Sequence, residues 1–429
     1  MKFLHFDEAK QVAIANVREW VGGTAQDVRA MLLVDLFGKL RLVLWPMASA
    51  DTAQLGESLA SNCGSWWTGE ILDAMDLDPV TATVYESAWA STRPDEGEPR
   101  FRVHDRHRSR TAWFAGPVEP PWEVSEGSPP IVVFYSFKGG LGRSTLLASF
   151  AIQRARLGER VCVVDYDLDS PGAGRLLSAD AQGLTASWGV VDFLLERSFA
   201  DAPIADYFHR CDRVAAAGEI VVFPAGNLDS EYADKLARID LEEAPQAHDS
   251  GLWKLLTRVR DELEPRWILL DARTGISEPA GQLLSGIAHL HVLLGTTQDQ
   301  SWQGLNLVLD RLGKERVLAE RQQAELLLVQ AMVPTGEPGK AAKEDFAARA
   351  EEEFDARYYA ADEGDAADRF WTLGDKGSQD APHAPMPVEY DSKLAGFGDI
   401  GEVADALCGG PYPLIAERIV SRFLTEPDA

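Results

Sequence analysis

Lys138-Gly139-Gly140-Leu141-Gly142-Arg143-Ser144-Thr145 sets three glycines, two cations and two hydroxyls at the end of an apolar run, Ile131–Tyr135. A helical apolar pattern follows at once through Leu146, Leu147, Phe150, Ala151 and Ala155, with Gly158 as its stop. This combination is the chemistry of phosphate binding. Glycines let backbone N–H groups turn inward on an anion. The helix start adds unsatisfied N–H groups and the positive end of its dipole. Ser144, in the first helical turn, has a hydroxyl that can ligate magnesium. The loop departs from G-x-x-x-x-G-K-[ST] at two positions, with Phe137 at the first glycine and Arg143 at the lysine. The turn keeps Gly139, Gly140 and Gly142, so the first change is tolerable. The second replaces a compact ammonium by a planar fork that need not reach the same oxygens. A dinucleotide G-x-G-x-x-G reading fails because Thr145 stands at the third glycine.

Acids gather at the ends of two further apolar runs. Asp165 and Asp167 lie two apart after Val161–Val164, so both can face one crevice if the strand ends there. Trp267–Leu270 delivers Asp271 to the same kind of edge, where it can hold magnesium through water. Asp169 reads as a solvated loop acid.

At these residues the chain resembles the MinD/ParA group of deviant Walker A P-loop ATPases, whose loop is KGGxGK[ST]. The resemblance covers about residues 128–333 and 385–424. It implies ATP and Mg²⁺ as ligands, with Lys138 reaching the phosphates of a partner subunit in an ATP-dependent homodimer. Catalysis would fall to Lys138, Arg143 and Asp167, the last orienting the attacking water, and nucleotide contacts to residues 138–145. Metal contacts would fall to Ser144, Asp165 and Asp271. Arg143 stands on the usual lysine, which defines a KGGxGR variant. Val221–Gly226 is similar to a strand-Pro-Ala-Gly segment of MinD-like proteins. Met386–Asp391 is similar to a late segment near the adenine base, which makes Pro387 a nucleotide contact. Arg273 departs from the usual second switch. No N-K-x-D guanine motif occurs, which favours ATP over GTP.

The elements that must carry these residues are short, largely apolar runs: Ile131–Tyr135, Arg160–Asp165, Ile220–Phe223, Trp267–Asp271, His291–Gly295 and Leu326–Gln330. Such runs predict central strands of a parallel sheet covered on both faces, and helix-length connections make it a doubly wound α/β domain. Residues 334–385, with a helix over Glu344–Tyr359, read as an insertion or lid. Ahead lies a Pro/Gly-rich linker, 116–130, and before it a block of residues 1–115 of small α/β or α+β character. There, helix patterns at Glu8–Val21 and Thr52–Ala60 flank a strand at Leu40–Trp45, and Thr81–Tyr85 reads as a second strand. Trp66 and Trp67 suit either a core or a binding surface.

The charge balance, 41 Lys plus Arg against 68 Asp plus Glu over 429 residues, repels nucleic acid or an anionic membrane over most of the surface. The basic cluster His104–Arg110 reads as solvated strand or loop. Leu414–Leu424 forms a helical stripe without a positive face, expected to pack on the sheet rather than bind membrane. Cys63, Cys162, Cys211 and Cys408 lack metal-ligand spacing and read as free thiols of a reducing compartment. No signal-peptide core or apolar span occurs, so a cytoplasmic protein is expected. The functional expectation is an ATP-dependent dimerisation switch whose N-terminal block recruits an unidentified protein partner. The competing expectation is a nucleotide-binding module with little or no hydrolysis, and a tyrosine-kinase-like domain ranks third.

Overall fold

The computed structural model describes residues 4–24, 28–46, 52–107, 109–114, 119–125, 127–197, 199, 202–239, 241, 250–313, 324–360, 371–378 and 380–423. It divides into Met1–Ser109 and Arg110–Ala429.

The first unit is a four-stranded sheet ordered β3-β2-β1-β4, from β1 (Arg29–Val34), β2 (Leu40–Trp45), β3 (Trp67–Asp73) and β4 (Phe101–Asp105). Helices α1 (Phe6–Gly22) and α2 (Thr52–Cys63) bury Ala9, Ala13, Val17, Leu55 and Leu59 with Leu32, Leu42 and Leu44. Trp67 joins this core and Trp66 packs at its border, donating its indole N–H to Leu4 O. Thr81–Tyr85 is not a strand but the middle of α3 (Pro79–Ser91). Its β-branched residues mislead. Asp78 caps the helix by accepting from the amides of Val80 and Thr81, Pro79 opens it, and Tyr85, Ala88 and Trp89 return at helical spacing. Trp89 packs with Trp45, and the Arg102 guanidinium lies 4.3 Å over its ring.

The second unit starts before the Pro-rich stretch. Helix α4 (Thr111–Phe114) is tied to its core by Glu278, which accepts from Thr111 Oγ1 at 2.9 Å and Ala112 N at 2.7 Å. Within residues 119–130, Trp122 donates to Pro129 O and lies under the Arg260 guanidinium.

All six expected strands form: β5 (Ile131–Ser136), β6 (Arg160–Tyr166), β8 (Glu219–Phe223), β9 (Trp267–Ala272), β10 (Leu290–Gly295) and β11 (Glu325–Val333). The short β7 (His209–Arg210) and β12 (Met386–Glu389) complete an eight-stranded sheet ordered β12-β11-β10-β5-β9-β6-β8-β7. Every pairing is parallel except β7–β8. Each central strand is buried on both faces, which is why its apolar run shows no alternation. Helix α5 (Arg143–Arg156) covers one face with Leu147, Phe150 and Ala151. Tyr412–Ser421 packs on the same face through Ile415 and Ile419, as expected for the C-terminal stripe. The helix Asp299–Leu312 covers the other face with Trp302, Leu305 and Leu309.

The stretch expected as an insertion supplies instead a crossover helix, Glu337–Arg357, between parallel β11 and β12, with Phe346, Ala350 and Phe354 in the core. Residues 361–370 of that stretch, and Leu424 of the C-terminal stripe, lie outside the described residues. Among the described residues no helix is long and apolar enough to cross a membrane. All four cysteines are free thiols, three of them buried.

Candidate functional site

The strand order makes the site. β9 lies between β5 and β6, so the carboxyl ends of these three strands stand side by side, the place where open parallel sheets bind ligands. Register puts Asp165 directly beside Asp271, and Phe134 beside Asp271 on the other side.

β5 runs into the glycine loop, and α5 starts at Arg143 with Gly142 as its N-cap. Gly140 (φ 76°) and Gly142 (φ 81°) hold the left-handed backbone that a side chain disfavours. A Cβ added to Gly139, Gly140 or Gly142 would meet nothing within 4 Å, so the inner turn is an open cradle rather than a packed corner. Phe137 does not fill it. Its ring is seated over Gly304 of the helix Asp299–Leu312, where an added Cβ would lie 1.9 Å from Phe137 Cγ.

Arg143 is buried and turned to the sheet edge. Its Nε donates to Asp271 Oδ1 at 2.6 Å and its Nη2 to Asp167 Oδ2 at 3.1 Å. Ser144 Oγ donates to the other Asp271 oxygen at 2.6 Å. Burial alone would lower the Arg143 pKa; the Asp271 and Asp167 carboxylates outweigh it, and the net direction is upward. Arg273, a departure from the family pattern with a γ-phosphate, partner or surface role open to it, clasps the same loop: Nη1 stands 3.4 Å from Asp167 Oδ1 and Nε 3.1 Å from Asp169 Oδ2. Burial raises the Asp167 pKa against the pull of Arg143. Both Asp167 oxygens thus face an arginine.

Asp165, beside Asp271 in register, is held by the backbone of the loop after β6. Its Oδ2 accepts from the amides of Gly172 (3.0 Å) and Gly174 (2.9 Å), and its Oδ1 from Asp167 N (3.3 Å). It anchors the loop after β6. Burial, reinforced by Asp271, pushes its carboxyl up to about 7. Lys138 stands apart, donating to Gln298 Oε1 at 2.7 Å just after β10. Nothing in the loop text pointed to Gln298; its position at the carboxyl end of a strand adjoining β5 was the available signal.

Beside the loop lies a cavity of about 270 Å³ lined by Gly140, Gly142, Thr145, Met332, Tyr390, Leu394 and Tyr412. It shares Val388–Asp391 with a second cavity of about 770 Å³, in whose wall Pro387 stands. Met332 has a left-handed φ of 58° where β11 shifts register against β12, a strained backbone at a cavity wall. The open cradle and the cavity meet at Gly140, Gly142 and Thr145, with Tyr390 and Tyr412 in the cavity wall. For a metal, Ser144 and Asp271 are the oxygen donors, and both are engaged with each other or with Arg143. Among the described residues no group of three His, Cys, Asp or Glu side chains is placed to hold a metal ion.

No family model matches the chain. A segment of 73 residues is 34% identical to a protein of Oltmannsiellopsis viridis bearing the name of the septum site-determining protein MinD, covering 17% of this chain and 23% of that relative. Among solved structures, the pNOB8 ParA bound to nonspecific DNA is 17% identical and covers 68% of this chain and 98% of that one, with a TM-score of 0.42. The MinD of Pyrococcus horikoshii OT3 complexed with Mg-ADP is 20% identical, covering 51% and 77%, with a TM-score of 0.35. In its glycine loop, its aspartate-bearing strand ends and its doubly wound sheet, the second unit of this chain is similar to the MinD/ParA-type P-loop ATPases.

Proposed function

We propose that the second unit binds ATP at residues 138–145 and acts as a nucleotide-dependent dimerisation switch. One observation carries the reading: an open turn of left-handed glycines ends in the N-terminus of a 14-residue helix, beside a cavity of about 270 Å³. Lys138, on the exposed rim of the loop, is the residue to reach a second copy. The first unit would recruit a protein partner. Titration calorimetry of ATP into the full chain tests the nucleotide claim, with saturable heat expected and its loss in Gly142→Val. Light scattering with and without ATP, and in Lys138→Ala, tests the switch. An unchanged oligomer in all three conditions overturns it.

A second reading, a nucleotide-binding module with little hydrolysis, draws on the clasp of Asp167 by Arg143 and Arg273. A carboxylate committed to two guanidinium groups is poorly placed to orient water. Phosphate release at the same background level from wild type and Asp167→Ala favours the module; release that depends on Asp167 favours the switch.

A further inference from the structure

The basic residue of a phosphate loop is expected to face the phosphates, but Arg143 faces the sheet. Its fork spans Asp271 and Asp167, and Ser144 closes on the second oxygen of Asp271. The hydroxyl and the two carboxylates open to a divalent cation at this edge are therefore bonded to the guanidinium or to one another. Divalent magnesium demands free, hard oxygen ligands in near-octahedral array. A cation entering here would share Asp271 with a group that does not lose its charge. What a cation does for a triphosphate, neutralising and orienting its oxygens, a guanidinium does through charge-assisted hydrogen bonds. Arg143 keeps one donor in reserve, since Nη1 is buried with no hydrogen-bond partner among the described residues. A buried N–H of this kind carries a desolvation cost until an acceptor arrives, and a phosphate oxygen is such an acceptor.

We propose that Arg143 takes the place of the divalent cation, so that this site binds its nucleotide in metal-free form, with Asp167 and Asp271 holding the guanidinium and Ser144 holding Asp271. The inference rests on the nucleotide reading above and concerns the same site. It is tested by calorimetric titration of ATP into the full chain in magnesium and in EDTA, for wild type and Arg143→Lys. An ammonium cannot span both carboxylates, so the variant should regain a need for the metal. The wild-type Kd is expected to change less than about threefold on magnesium removal, and the variant's to weaken by about tenfold or more. Manganese paramagnetic resonance adds a readout free of turnover: with ADP present, the variant should immobilise Mn²⁺ and wild type should not. Wild-type binding that weakens about tenfold or more in EDTA overturns the inference and leaves the nucleotide reading intact. Heat absent from both wild-type titrations overturns the nucleotide reading and the inference with it. The wild-type pair decides even if Arg143→Lys fails to fold.

Discussion

Arg143 Nε lies 2.6 Å from Asp271 Oδ1, a charge pair at the centre of the sheet edge with the aspartate fully buried. The two residues come from different elements, α5 and β9, 128 positions apart. The pair therefore ties the start of the helix to the strand beneath it. Loss of Asp271 leaves the buried guanidinium with Asp167 as its remaining carboxylate and leaves Ser144 Oγ without its acceptor. Asp271→Ala is expected to destabilise the second unit by about 1–3 kcal/mol, the cost of a buried polar group left unsatisfied. The double variant Arg143→Met/Asp271→Leu should recover most of that loss. Urea unfolding of the three chains checks both statements, and a double variant no better than Asp271→Ala would show that the pair is worth more than its desolvation costs.

The sheet and the loop were legible because their signals are local. A buried parallel strand writes itself as an unbroken apolar run, and the glycines of the cradle lie within eight residues. Contacts between distant segments were not legible. Arg273 was seen as a departure from a pattern with several roles open to it, although it meets Asp167 and Asp169. Asp165 was read from its neighbours in the text, whereas its carboxylate turns back to Gly172 and Gly174. The helix over Pro79–Ser91 was missed for another reason: β-branched composition outweighed the Asp-Pro start that decides the local structure. The crossover helix Glu337–Arg357 was half seen because only Gly339, Phe346, Ala350 and Phe354 of its 21 residues are buried, and its polar remainder resembles a surface segment.

The anchoring role of Asp165 separates two substitutions that remove the same charge. Asparagine keeps an oxygen for the amides of Gly172 and Gly174 and loses only the long bond from Asp167 N. Alanine leaves the buried Gly174 amide without an acceptor, while the exposed Gly172 can turn to water. Asp165→Asn should change stability by no more than about 1 kcal/mol, and Asp165→Ala should cost about 1–3 kcal/mol, the range for one unsatisfied buried group. Equal losses on chemical denaturation would mean that the carboxylate matters through its charge.

Phe137 and Gly304 make a lock across two elements. The ring occupies the space that a side chain at 304 would need, with Cγ 1.9 Å from an ideal Cβ. Gly304→Ala forces the ring or the helix to move and should cost about 1–3 kcal/mol by overpacking. Phe137→Ala in the same chain relieves the clash, so the double variant should be more stable than Gly304→Ala alone. Melting curves of the set test this. A displaced ring has the phosphate loop as its neighbour, so Gly304→Ala should also weaken nucleotide binding more than the double variant does.

Two buried histidines make the second unit sensitive to acid. His289 accepts from the amide of Ile131, the first residue of β5, at Nδ1 (2.9 Å), so its Nε2 carries the proton shared with Trp122 O (2.7 Å). His209 repeats the pattern, accepting from Ala186 N at Nδ1 and facing Leu177 O at Nε2. Each ring must be neutral to keep its acceptor, and burial lowers both pKa values from 6.5. The sign follows from proton uptake. As pH falls through 6.5 the unfolded chain takes up protons that the folded rings resist, so stability present above 6.5 is lost on acidification. Asp165, whose carboxyl is pushed up to about 7, takes up a proton over the same range and acts in the opposite sense. The histidine contribution is therefore read by difference: from pH 7.5 to 5.5 the urea midpoint of His289→Gln should change in favour of acid stability relative to wild type, and that of His289→Gln/His209→Gln further still. Because His289 holds the start of the strand that feeds Lys138–Thr145, its protonation should loosen β5 before the rest of the sheet. Amide exchange at Ile131–Phe134 that accelerates no more than exchange in β9 on acidification would refute that order.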